Sequence, residues 1–82
     1  MITLKLSPTI QHEWAARGIG GVIPELDSIP LYQEVIVVTE ACCREIMADC
    51  AFYMDPKAVD ATIGERKAYR ALMEQCAAAL RA

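Results

Sequence analysis

Residues 31–54 constrain this chain more than any other stretch. Set at about 100° per residue, Leu31, Val35, Val38, Cys42, Ile46, Cys50 and Tyr53 fall close to one line, and Ile36, Cys43, Met47 and Met54 widen it sideways. The apolar arc covers roughly half of a helical cylinder, about twice the width of a coiled-coil seam. A single neighbouring helix covers only part of such an arc, so the pattern predicts a long central helix that needs cover from more than one side. A second reading stands beside it. Val35, Ile36, Val37, Val38 and Thr39 are all β-branched, the residue type that packs best on a pleated surface. If Thr39-Glu40 caps a shorter helix over 40–54, residues 33–38 become a strand able to pair with residues 2–6. The continuous helix is the preferred of the two.

The flanking segments carry clearer punctuation. Ile2, Leu4 and Leu6 alternate with Thr3 and Lys5, the period of a half-buried strand. Ser7-Pro8 is an N-cap followed by proline at the first helical position, which predicts a short helix over Pro8–Arg17. Gly18, Gly20 and Gly21 end it, and Pro24, Asp27, Ser28 and Pro30 mark a loop. Asp55-Pro56 breaks the central pattern and starts a helical turn through about Val59. Thr62-Ile63-Gly64-Glu65 matches a capping box, and the helix it launches carries one stripe of Tyr69, Leu72, Met73, Cys76 and Leu80. Residues 55–62 are a short link, so the last two helices fold back as an antiparallel hairpin. The arc left over by that hairpin is covered either by the N-terminal segment, with Ile10 and Trp14, or by a second copy of the chain. The expected fold is mainly α: a helical hairpin over 31–82, preceded in one 1–82 domain by an arm, short helix and loop over 1–30. A small α+β fold with strands near 2–6 and 33–38 is the alternative.

Chemistry-bearing patterns are sparse. Four basic and nine acidic residues lie in 1–62, whereas Arg66, Lys67, Arg70 and Arg81 outnumber Glu65 and Glu74 beyond it. The net charge of −3 gives no reason for tight nonspecific binding to phosphate. Arg66, Lys67 and Arg70 remain candidate nucleic-acid contacts, although Arg66 and Arg70 can instead face Glu45 and Asp49 on the central helix. Cys42, Cys43, Cys50 and Cys76 read as reduced core thiols. A thiolate cluster is conceivable if the hairpin brings Cys76 to the other three, but zinc sites favour short knuckle spacings that this chain lacks. His12 has no nucleophile at a readable spacing, and Arg17-Gly-Ile-Gly-Gly21 follows a helix rather than opening one, unlike a phosphate loop. With no GxSxG, Walker lysine or HExxH, the chain is expected to be no enzyme and to need no metal or cofactor. It shows neither a signal-peptide pattern nor an apolar run near the ~20 residues that span a bilayer, so a cytoplasmic protein is expected.

What is left is apolar surface. More than half of the 82 residues are hydrophobic (55%), and so short a chain buries only ~60% of its unfolded surface, which points to binding another protein. The candidate interface residues are Ile36, Met47 and Met54 at the edges of the arc, with Val37 and Phe52 outside it. A homodimer is expected. Ala48 to Leu72, reading Ala-Asp-Cys-Ala-Phe-Tyr-Met-Asp-Pro-Lys-Ala and then Gly-Glu-Arg-Lys-Ala-Tyr-Arg-Ala-Leu, resembles small accessory proteins of bacteriophages and prophages. The resemblance implies a viral modulator or inhibitor of a host protein, such as a defence factor or regulator. A DNA-binding regulator and a purely self-associating structural protein are the competing expectations.

Overall fold

A computed structural model of the protein describes residues 1–30 and 33–82. Five regular elements follow in order: β1 (Ile2–Lys5), α1 (Pro8–Arg17), β2 (Val35–Val38), α2 (Glu40–Met54) and α3 (Ile63–Arg81). Two 3₁₀ turns, Ile19–Gly21 and Pro24–Ser28, lie between α1 and β2. The chain is mainly helical, with an α2–α3 hairpin and a small two-stranded antiparallel sheet.

The continuous helix over 31–54 is replaced by β2 and a shorter α2, while Leu31 lies outside the described residues. Two local facts decide this. Thr39 is extended at φ −76° and ψ 165°, and its hydroxyl accepts the Cys42 amide at 3.1 Å, so the helix begins there. Before it, a β-branched run finds a strand to pair with, in the register Ile2↔Val38, Thr3↔Val37, Leu4↔Ile36 and Lys5↔Val35. Pleating then sends Ile36, Val38 and Leu4 into the core and leaves Val35, Val37, Thr3 and Lys5 on the open face. A helix through the same residues would leave β1 unpaired.

The other boundaries fall where the capping chemistry sets them. Ser7 Oγ accepts the Ile10 amide at the start of α1, and Gly18, at φ +60°, ends it in a left-handed conformation that a side chain would strain. Gly20 serves close approach: a Cβ there would lie 2.9 Å from Asp27 Cα on the neighbouring turn. Asp55 accepts the Lys57 amide with its side chain and the Ala58 and Val59 amides with its carbonyl, forming the link turn. At α3, Thr62 Oγ1 accepts the Glu65 amide (3.1 Å) and Glu65 accepts the Thr62 amide (2.8 Å), completing the capping box. Those backbone and hydroxyl partners hold the Glu65 carboxyl below its ordinary pKa.

One core gathers residues from every segment. Cys42, Cys43, Ile46 and Cys50 of α2 and Tyr69, Leu72 and Cys76 of α3 join Leu4, Leu6, Ile10, Trp14, Ile36 and Val38. Ile19, Ile23 and Leu26 from the loop close it. The wide apolar arc is therefore covered within the chain, by α3 packed along α2 and by the core residues that the sheet, α1 and loop add.

Candidate protein-docking surface

The polar contacts behind the core are structural in character. Arg17 donates to both oxygens of Asp49, Nη1 at 3.1 Å and Nη2 at 2.9 Å, a bidentate geometry that ties α1 to α2. Its guanidinium carbon lies 3.7 Å from the centre of the Tyr53 ring, which stacks on Tyr69 at 5.4 Å. The Tyr69 hydroxyl donates to Glu13 at 3.1 Å, linking α3 back to α1. Burial works against the Arg17 charge, but the Asp49 hydrogen bonds and charge outweigh it and the pKa rises. Burial pushes the Tyr69 hydroxyl up as well, against the pull of Arg17. Each group is held in one protonation state, which is the opposite of what proton transfer requires. Arg17, not Arg66 or Arg70, is the cation that Asp49 meets; among the described residues Glu45 makes no ion pair.

The hairpin does bring the cysteines together. All four are free and buried, with Cys43 Sγ 3.8 Å from the Cys76 carbonyl oxygen. Among the described residues no group of three or more His, Cys, Asp or Glu side chains is placed to hold a metal ion. Burial, reinforced by Glu25 and Glu45, pushes the Cys42 thiol up to about 12. Burial and the Asp49 charge take Cys50 to about 12 despite Arg17, and Cys76 is raised by burial too. These thiols are poor nucleophiles in the folded chain. They also set an alkaline limit on stability. An unfolded thiol ionises near pH ~8.5, so above that pH the unfolded state holds fewer protons than the folded state and stability falls until the folded pKa is passed. At pH 10 the expected loss is about 2 kcal/mol for each of Cys42 and Cys50. Urea unfolding midpoints at pH 7 and pH 10 measure it, and Cys42→Ala with Cys50→Ala should shrink the difference, leaving the part that Cys76 contributes.

The sheet offers a different kind of feature, one open edge. Leu6 donates its amide to the Glu34 carbonyl at 2.6 Å, which makes 6↔34, 4↔36 and 2↔38 the hydrogen-bonded pairs of the ladder. The amides and carbonyls of Val35 and Val37 therefore point away from β1, and among the described residues no backbone or side-chain group bonds them. The outer edge of β1 is treated otherwise. There Gln75 accepts the Lys5 amide (2.8 Å) and donates to the Lys5 carbonyl (2.9 Å), its side-chain amide standing in for a third strand. Neither lysine nor proline guards the β2 side, and Val35 and Val37 are 44% and 49% exposed. A concavity of about 340 Å³ opens at the Val35 end, lined by Lys5, Leu6, Glu34, Leu72 and Gln75 among others.

The candidate interface residues do not form one surface. Ile36 is 2% exposed and belongs to the core, because its parity in β2 sends it inward; it is withdrawn as an interface residue. Met47 and Met54 are half-buried against the core. Phe52 is 54% exposed and meets Tyr53 edge-on, but it sits near the far end of α2, ~20 Å along the helix from β2. Of the five, Val37 alone lies on the open edge. Val35, its neighbour there, was not among them, since reading 31–54 at helical period placed it inside the arc; alternation at period two would have found it. Lys67 and Arg70 are exposed on α3, while Arg66 is half-buried with its Nε enclosed and unbonded among the described residues. Among the described residues no helix is long and apolar enough to cross a membrane. No family model, curated protein or solved structure matches the chain.

Proposed function

We propose that this chain is a non-catalytic protein-binding module whose docking element is the open edge of β2. The observation that carries the reading is the asymmetry of the sheet: Gln75 closes the β1 edge, and nothing among the described residues closes β2. An extended segment of a partner would add a third strand. Its backbone would bond Val35 and Val37, and one of its side chains would enter the concavity beside Val35. Four residues of edge make a small interface, so strand addition fixes register while further contacts around it supply much of the affinity. The resemblance to phage accessory proteins makes a host protein the partner to look for first.

The test is a comparison of baits. Val37→Pro removes an amide that bonds nothing within the described chain, at a position where edge strands tolerate proline; Val37→Lys places a charge on the same edge. Proteins captured by the native chain are expected to be lost with both variants and retained with Phe52→Asp, each bait first shown by circular dichroism to be folded. Retention by both Val37 variants contradicts the reading.

A further inference from the structure

Resting on that docking edge, we infer that its partner is an extended segment with basic residues flanking a short apolar run, rather than a second copy of this chain. The charges around the edge set the preference. Glu34 precedes β2, and at its other end Glu25 accepts from the Thr39 hydroxyl at 2.7 and 3.0 Å. Neither carboxylate has an ion-pair partner among the described residues; Glu40, just beyond, is shared with Arg44 at 3.6 Å. Among the described residues Lys5 is the one cation of the two strands; it pairs with Val35 from the far strand and reaches the concavity there. An added strand would run two strand spacings from Lys5, ~9.6 Å, about a Debye length in ordinary salt. The nearer charges that such a strand meets are therefore acidic at both ends.

Spacing makes the partner more specific. Glu34 and Thr39 are five residues apart, ~17 Å in extended chain. A segment with Lys or Arg about five residues apart, and β-branched residues between them, meets both carboxylates while matching Val35 and Val37. A second copy fits less well. It carries the same −3 charge and returns Glu34 and Glu25 to a neighbourhood that is already acidic.

The native chain, labelled with ¹⁵N, would be titrated with two acetylated and amidated hexapeptides, Lys-Thr-Val-Thr-Val-Lys and Glu-Thr-Val-Thr-Val-Glu. Amide shifts of Val35 and Val37 would be followed at low and high salt. The lysine peptide is expected to move these amides and to bind about tenfold more tightly than the glutamate peptide. High salt should erase most of that preference, as should Glu25→Gln with Glu34→Gln. Equal binding of the two peptides overturns the charge inference and leaves strand addition standing. No shift at Val35 and Val37 with either peptide at millimolar concentration overturns both. Shifts that follow protein concentration without peptide assign the edge to a second copy and overturn the inference as well.

Discussion

Trp14→Ala is expected to lower the stability of this chain by about 3–5 kcal/mol. The indole is fully enclosed, in a core that draws on every segment, and it is the largest side chain that α1 contributes. Its removal leaves a cavity beside the 3₁₀ turns, where the close approach of Gly20 to Asp27 leaves little room for the backbone to collapse inward. A domain of this length holds about 4–12 kcal/mol in total, so the variant should lose at least roughly a quarter of it. A second substitution separates volume from polarity. Trp14 Nε1 is buried and has no hydrogen-bond partner among the described residues, a cost that the folded state already carries. Trp14→Phe removes that donor with part of the volume and should cost much less than alanine. Urea denaturation with unchanged m-values reads both effects.

Asp49→Ala should cost about 3 kcal/mol, at the lower end of what breaking a buried pair costs. The side chains of Arg17 and Asp49 are 16% and 7% exposed, so a little water already reaches the guanidinium. Deleting the carboxylate removes both bonds that Arg17 donates and leaves a cation over the Tyr53 ring with no counter-charge. The double variant Arg17→Met with Asp49→Leu should lose less than Asp49→Ala alone, since no unpaired charge remains. If the losses of Arg17→Met and Asp49→Leu, measured singly, instead sum to that of the double variant, the two side chains act independently.

These effects depend on contacts of very different legibility. Ser7-Pro8, Gly18, Asp55-Pro56 and Thr62 to Glu65 could be read directly because a cap is a local device, complete within four residues. The stripe of α3 is equally plain because residues 69–80 repeat it for about three turns. Val35 to Val38 was ambiguous for the reason that made it informative: four β-branched residues are too few to separate period two from period 3.6, and the partner strand lies more than thirty residues away. Distance along the chain, 32 and 70 residues, likewise hides Arg17–Asp49 and the Gln75 clasp on Lys5, which depend on how segments meet rather than on spacing within one. The core that buries the apolar arc also takes in loop residues Ile19, Ile23 and Leu26, which have no periodicity of their own. Val35 and Val37 reach the surface on a strand edge, a feature that helical spacing disguises.

Residue-resolved amide hydrogen exchange on the free chain tests the open edge most directly. The amides of Leu4, Leu6 and Ile36 lie inside the ladder and should be protected to a similar degree. Those of Val35 and Val37 should exchange nearly as fast as unstructured amides, giving a fast–slow–fast alternation through β2. Val35 and Val37 protected as strongly as Ile36 would contradict the account, because the edge would then be already occupied or the segment helical.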